Sequence, residues 1–240
     1  MRRRQSDVLV VVPAFNEERT IASVVEGLHR SVPDADVLVV DDGSRDGTAR
    51  RARDAGAMVV AHAFNLGYGA ALQTGYKRAE RAGYQELVQM DADGQHDPGD
   101  VPRLLAPLRR GDADVVIGSR FALPTGYSMG VARSVGRLFF QRVLVALGGA
   151  RIADPTSGFQ ALGRRAFGFC CGDFYPSDFP DIDVLLLLHR HGFRIVEVPV
   201  TMAPSPPARV PMHTGLREVY YTYKMLLATF RSALTRTEHG

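Results

Sequence analysis

Cysteine is nearly missing from this chain. Two occur in 240 residues, side by side at Cys170 and Cys171. Adjacent cysteines very rarely bridge, so no disulfide framework is expected, a reducing compartment is implied, and both thiols read as buried packing groups. Long apolar runs are missing too: none reaches the roughly 18 residues that a membrane-crossing helix needs. Arg2, Arg3 and Arg4 resemble a charged leader, but Val8 to Val12 is too short for its apolar part and runs straight into a turn. A site of action on the cytoplasmic side is therefore expected. Charge of one sign is scarce: 29 Lys and Arg against 26 Asp and Glu leave +3, too little to argue for nucleic acid. Internal repeats and low-complexity segments are absent. What remains is ordinary globular composition, 45% hydrophobic and 23% charged, at a length that fits one large α/β core.

The most informative stretch runs from Gln89 to Pro98. An apolar run, Leu87 to Met90, reads as a buried strand and ends in Asp91-Ala92-Asp93-Gly94-Gln95-His96-Asp97. Carboxylates crowded at a strand end repel one another unless a cation sits between them. Oxygen ligands suit a hard divalent ion, Mg²⁺ or Mn²⁺, which takes phosphate oxygens as further ligands. Asp91 and Asp93 are thus read as metal ligands gripping a diphosphate, with Gln95 as a third. An acidic turn before a Pro-started helix, capped by Asp97, accounts for Asp97 but not for the other two. His96 reads as a turn residue.

Along the chain, apolar strands alternate with helical spacing. Strands are predicted at Asp7 to Val12, Asp36 to Val40, Met58 to Ala61, Leu87 to Met90 and Asp114 to Gly118. Helices are predicted at Glu17 to Arg30, Asp46 to Ala55, Gly69 to Ala82 and Pro98 to Arg110. This rhythm implies β-α-β units and a mostly parallel sheet with helices on both faces. After Arg120 it breaks. Phe121 to Gly130 reads as loop, Val131 to Leu147 as helix, Gln160 to Leu162 as a short strand, Asp181 to His191 as helix and Phe193 to Met202 as strand. A Pro-rich loop, Pro204 to Pro211, precedes a last helix from His213 to Leu234. Residues 1–212 are expected to form one catalytic domain, and 213–240 an amphipathic helix and tail.

The strand ends carry a set of motifs: Val12-Pro13-Ala14-Phe15-Asn16-Glu17-Glu18, then Val40-Asp41-Asp42-Gly43-Ser44, Asn65-Leu66-Gly67, the D-x-D-x-Q, and Gly118-Ser119-Arg120. In this order, the set resembles the family 2 inverting glycosyltransferases of the GT-A fold, most of all the polyprenyl-phosphate and dolichyl-phosphate sugar synthases. The resemblance runs from about residue 8 to residue 202. It implies a Rossmann-like GT-A domain, a nucleotide-diphosphate sugar donor and a polyprenyl phosphate acceptor. Carried over residue by residue, it assigns donor nucleotide binding to Pro13, Ala14, Asn16, Glu17, Asp41, Asp42 and Gly67, and metal binding to Asp91, Asp93 and Gln95. Arg120 matches an arginine that reaches phosphate. Arg133 sits where related synthases place a base facing the acceptor phosphate. Asp154 and Ser157-Gly158-Phe159 resemble the acceptor-side motif, and Arg209 is the one strong base in the loop before the last helix. Guanidinium suits phosphate because its fork donates two parallel charge-assisted bonds. Simpler roles stand beside these: a turn with an Asx bond for Asp41 and Asp42, a helix-dipole acid for Glu17, and solvated charges for the arginines.

A phosphate acceptor is already anionic near neutral pH and needs no strong base, whereas a sugar hydroxyl would need one; Asp154 is then the first candidate, with Asp181 and Asp183 behind it. The last helix favours a lipid acceptor. Leu216, Val219, Tyr220, Tyr223, Leu226, Leu227, Phe230 and Leu234 share one face, flanked by Arg217, Lys224 and Arg231. Such a face suits the inner surface of a membrane. It equally suits the protein's own core, a second subunit or a small membrane partner. Rival readings are a phosphohydrolase, on the apolar run followed by D-x-D-G, and a non-catalytic nucleotide-sugar-binding module. A carbohydrate hydroxyl is the alternative acceptor.

Overall fold

A computed structural model describes residues 6–121, 142, 152–178, 180 and 182–203. At its centre is β1 (Val8–Ala14), whose seven residues are all buried. Burial on both faces explains an unbroken apolar run rather than an alternating one. Leu9 and Val11 pack into one core, and Val8, Val10 and Val12 into the other. Around β1 lie β2 (Asp36–Asp41), β3 (Met58–Ala61), β4 (Glu86–Gln89), β5 (Val115–Ser119), β6 (Gln160–Gly163) and β7 (Ile195–Pro199), in the order β3-β2-β1-β4-β6-β5-β7. Every pairing is parallel except those of β6, which runs antiparallel to both β4 and β5. The mostly parallel sheet read from the sequence is present.

Helices cover both faces. On one side lie α1 (Ile21–Ser31), α2 (Thr48–Asp54) and α4 (Val101–Arg109), which bury Val25, Leu28, Ala52, Leu104 and Leu105. On the other lie α3 (Tyr68–Ala82), α5 (Arg164–Phe169) and α6 (Ile182–Arg190), with Leu72, Tyr76, Phe167 and Leu186 as their buried anchors.

Two local differences from the sequence reading have clear causes. The first helix starts at Ile21 rather than Glu17. The Glu17 amide donates to Thr48 Oγ1 at 2.8 Å and the Glu18 amide to Asp46 Oδ2 at 3.2 Å, so these residues are tied to the next loop instead of joining the helix. The six-residue α5 went unread because it is too short to show a helical period. Asp97 caps the single 3₁₀ turn Pro98–Asp100 that precedes α4, its Oδ1 accepting from the Gly99 amide at 2.8 Å. Neither cysteine is bridged; Cys170 is buried and Cys171 only half-buried. Burial, and then the neighbouring Glu80, push the Cys171 thiol up to about 12, so it does not act as a nucleophile near neutral pH. The expected helices at 131–147, apart from the helical residue Arg142, and at 213–234 lie outside the described residues.

Candidate active site

β1 and β4 are neighbours in the sheet although β2 and β3 come between them in sequence. Open α/β sheets bind ligands in the crevice at such a reversal, beyond the carboxyl ends of the strands. All the strand-end motifs meet there. Because β6 is antiparallel, its leading residues Ser157, Gly158 and Phe159 arrive at this same edge. The register pairs Gln89 with Gln160, which sets Asp91 across from Gly158.

The loops after β1 and β2 form one laced wall. Asn16 adopts a positive φ of 56°. Its side-chain oxygen accepts from the Arg45 amide at 2.9 Å, and its own amide donates to Ser44 Oγ at 2.9 Å. Asn16 is exposed and Glu17 half-buried, while Pro13 and Ala14 are buried parts of the strand. Asp41 accepts from the Ser44 amide at 3.2 Å, the Asx turn that its position allowed. Asp42 stands behind the rim at 3% exposure. Its Oδ1 accepts from the Leu66 amide at 2.9 Å and meets His62 Nδ1 at 2.7 Å, while its Oδ2 accepts from the Gly67 amide at 2.9 Å. Asp42 therefore shapes the Asn65-Leu66-Gly67 turn rather than presenting an oxygen at the rim.

Beyond the end of β4, Asp91 keeps 30% of its side chain exposed. Its Oδ1 accepts from the Tyr68 hydroxyl at 2.8 Å, and its Oδ2 lies 4.0 Å from His96 Nε2. Asp93 accepts from the Gln95 amide at 3.0 Å. Burial, and after it the charge of Asp91, push the Asp93 carboxyl up from its ordinary range. A carboxyl pushed up by burial and by a second carboxylate beside it is part of a donor set that a divalent ion would satisfy. Among the described residues, no three His, Cys, Asp or Glu side chains form a ready-made cage. Two carboxylates and an amide leave the remaining positions to phosphate oxygens and water, as Mg²⁺ sites commonly do. His96 is buried and stacked on Phe159, rings 4.9 Å apart, beyond its expected place as a turn residue.

Beyond the end of β5, Arg120 grips Asp154, with Nε to Oδ2 at 2.7 Å and a terminal nitrogen to Oδ1 at 2.6 Å. The Arg120 amide also donates to Asp154 Oδ2, at 3.1 Å. Asp154 is wholly buried. Both its oxygens accept from Arg120, an arrangement that suits a bracing role more than the expected role of base. It positions Arg120. The Nε edge of Arg120 is likewise turned to Asp154 and not outward. Ser157 is buried and donates its hydroxyl to the Gly118 carbonyl at 2.6 Å, so it fastens the β6 lead to β5. Asp183 is buried in α6. Arg133, Arg209 and Asp181 lie outside the described residues.

Three contributors were not singled out from the sequence. Glu197 accepts from the Ala153 and Asp154 amides at 2.6 and 2.8 Å, and so holds the backbone that carries Asp154. A lone acid in the apolar run Ile195-Val196-Glu197-Val198 was its signal. His62 and Tyr68 flank the Asn65-Leu66-Gly67 motif, and nothing in their spacing marked them.

The model of the family described as Glycosyl transferase family 2 matches residues 9–167. The chain belongs to that family. This family 2 enzyme is a glycosyltransferase, and the phosphohydrolase and binding-module readings fall away. It is 34% identical to an undecaprenyl-phosphate mannosyltransferase of Micrococcus luteus, over 87% of this chain and 88% of that one. It is also 34% identical to a polyprenol monophosphomannose synthase of Mycolicibacterium smegmatis, over 80% of this chain and 76% of that one. Among solved structures it resembles glucosyl-3-phosphoglycerate synthase of Mycobacterium tuberculosis in complex with Mn²⁺, UDP-glucose and phosphoglyceric acid. That likeness has a TM-score of 0.68 and 25% identity, and covers 94% of this chain and 79% of the other. The expected GT-A architecture is thereby established for this glycosyltransferase. No helix among its described residues is long and apolar enough to cross a membrane.

Proposed function

We propose that this glycosyltransferase moves a sugar, with inversion, from a nucleoside-diphosphate donor to a polyprenyl phosphate, using Mg²⁺ or Mn²⁺ held by Asp91, Asp93 and Gln95. The observation that carries the reading is the Asp91–Asp93 pair at the β1–β4 crevice, one acid pushed up by burial and by the other. When bound, the ion supplies Lewis-acid stabilisation of the leaving diphosphate. The chain's own residues do the rest. The wall of Asn16, Glu17 and Asp41 borders the space for the nucleoside, and the turn that Asp42 organises closes it from the β3 side. Arg120, braced by Asp154 and Glu197, sits across the crevice beside the β6 lead.

The engagement of Asp154 by Arg120 supports a phosphate acceptor, which needs no strong base. A phosphate monoester has a second pKa of about 6, so its oxygen is a ready nucleophile near neutral pH. Asp154, engaged on both oxygens, suits that chemistry and not the deprotonation of a sugar hydroxyl. The two bacterial relatives are named for lipid phosphate acceptors, which supports the same choice. Positioning of such a nucleophile contributes roughly 7–11 kcal/mol at the effective molarities of well-oriented reactants, and falls to arginines. We assign it to Arg120 with Arg133 and Arg209. Residues 213–240 are proposed to lie on the inner face of the membrane as a helix, apart from the catalytic domain of residues 1–212. A small membrane partner or a second copy is the alternative cover for that face.

The test is transfer from UDP-, GDP- and dTDP-sugars to a short polyprenyl phosphate, with Mn²⁺ and with chelator. Glycolipid formed only with metal, and lost in Asp93→Asn, is the expected result. Transfer to a soluble glycan hydroxyl but not to the lipid phosphate would overturn the acceptor assignment. Full turnover in chelator would overturn the metal assignment. Co-sedimentation with anionic vesicles, lost on deleting residues after Thr214, checks the membrane assignment.

A further inference from the structure

Tyr68 is the first residue of α3, and its hydroxyl donates to Asp91 Oδ1 at 2.8 Å. The backbone on either side of it is fixed independently of that bond. Before it, the Leu66 and Gly67 amides donate to the two oxygens of Asp42, at 2.9 Å each. After it, the Gly69 and Ala70 amides donate to the Asp178 and Ser177 carbonyls, at 3.2 and 2.9 Å. Gly67 sits at φ +103° with room for no side chain, since a Cβ there would lie 2.6 Å from the Ser177 carbonyl oxygen. The half-buried Tyr68 packs against the buried core cluster to which Leu72, Tyr76 and Tyr175 belong. The phenol is thus a rigid donor set by the fold, and the carboxylate is the partner that adjusts to it.

The same point is closed from a third direction. A Cβ on Gly158 would lie 2.9 Å from both the Tyr68 hydroxyl and Asp91 Oδ2. The lead of β6 therefore presses on the pair with bare backbone. One carboxylate oxygen is held by Tyr68. The other is hemmed by Gly158 and has His96 Nε2 no nearer than 4.0 Å.

We propose that Tyr68 is a positioning residue for the metal: by holding Oδ1, it presents Asp91 to the divalent ion through Oδ2 in one fixed orientation. The inference rests on the proposed role of Asp91 as a metal ligand. Partners that orient a ligating carboxylate typically change metal affinity about 10- to 100-fold when removed. Tyr68 does so from the first turn of the helix whose entry Asp42 fixes. The β2 and β3 loops, which border the nucleoside, are thereby tied mechanically to the metal carboxylate.

The experiment titrates Mn²⁺ into the full chain with UDP, and separately with GDP, following loss of the free-ion EPR signal against a nucleotide-only blank. Tyr68→Phe keeps the ring and removes only the hydroxyl. It is expected to weaken Mn²⁺ binding about tenfold or more, and its turnover is expected to recover as Mn²⁺ is raised. Asp91→Asn is the control, expected to lose binding without such recovery. Wild-type affinity in Tyr68→Phe, with binding lost in Asp91→Asn, overturns the role of Tyr68 and leaves the metal assignment standing. Unchanged binding in Asp91→Asn, or no Mn²⁺ binding by the wild type, overturns both. Should Tyr68→Phe not fold, Gly158→Ala takes its place: its methyl forces the phenol and the carboxylate apart, and undiminished affinity there overturns the proposal equally.

Discussion

Arg120 and Asp154 meet through two parallel hydrogen bonds of 2.7 and 2.6 Å, with the Asp154 side chain 1% exposed and that of Arg120 19%. Removing one partner of such a pair leaves a buried charge uncompensated, at about 3–5 kcal/mol. Asp154→Ala is therefore expected to lower unfolding free energy by roughly 3 kcal/mol, read by urea denaturation. A loss under about 1 kcal/mol would place the pair among weak surface bridges instead. If Asp154 braces Arg120 rather than taking a proton, turnover by the folded fraction of Asp154→Asn should keep the pH–rate profile of the wild type while falling in magnitude; a lost basic limb would assign it the role of base.

Asp42 satisfies two backbone amides and one ring nitrogen of His62, whose other nitrogen lies 2.9 Å from Thr74 Oγ1. Orphaned buried donors cost about 1–3 kcal/mol each. Asp42→Ala should lose about 2–3 kcal/mol of stability, and hydrogen exchange at Leu66 and Gly67 should accelerate together. Exchange unchanged at both amides would show that the turn is held by other means. Donor affinity, read by calorimetry, should fall in the same variant.

Gly67 tests the junction between that turn and α3. At φ +103°, and with the Ser177 carbonyl oxygen 2.6 Å from where a Cβ would stand, alanine is strained by conformation and by contact alike. Gly67→Ala should destabilise by more than about 1 kcal/mol. Gly94→Ala, also at positive φ but with nothing near its Cβ, should lose less. Equal melting temperatures for the two variants would remove the contact with residues 176–178 from the account.

Asp93 gives a pH-dependent prediction. Its carboxyl is pushed up in the folded state by burial first and by Asp91 second. A folded-state pKa above the unfolded one means that the native protein holds the proton more tightly. The contribution of Asp93 is therefore most favourable at low pH and is lost as pH rises through the folded value. In chelator at neutral pH, Asp93→Asn should melt higher than the wild type while making no product. Adding Mn²⁺ with nucleoside diphosphate should reverse the order, since a ligand at 100 times its Kd adds about 2.7 kcal/mol to the wild type alone. At this chain length that is on the order of 5–10 °C. A variant that melts lower than the wild type in chelator would show that the acid pair is not under strain.

Much of this glycosyltransferase was legible because its chemistry lies in short local patterns. The apolar runs of β1 and β2, the helical spacing of α3 and the acids directly after Met90 are properties of neighbouring residues. A parallel sheet then brings all strand ends to one edge without further information. Asp91, Asp93 and Gln95 could be found together on that ground alone. The boundaries of α1 and the existence of α5 could not, because one depends on bonds to a distant loop and the other is too short to show a period.

The amino-acid sequence by itself determined the order of strands and helices, the motifs at their ends and the class of ion those motifs suit, since burial and periodicity act residue by residue. Only the tertiary structure decided which carboxylates face the crevice and which are occupied behind it. Asp42 and Asp154 read in sequence like Asp91, yet their oxygens are taken by Leu66, Gly67 and His62 in one case and by Arg120 in the other. The antiparallel turn of β6 decided that Gly158 stands against Asp91 and Tyr68. Those pairings join residues 20 to 90 positions apart, and a contact across such a distance exists only once packing has brought its two ends together.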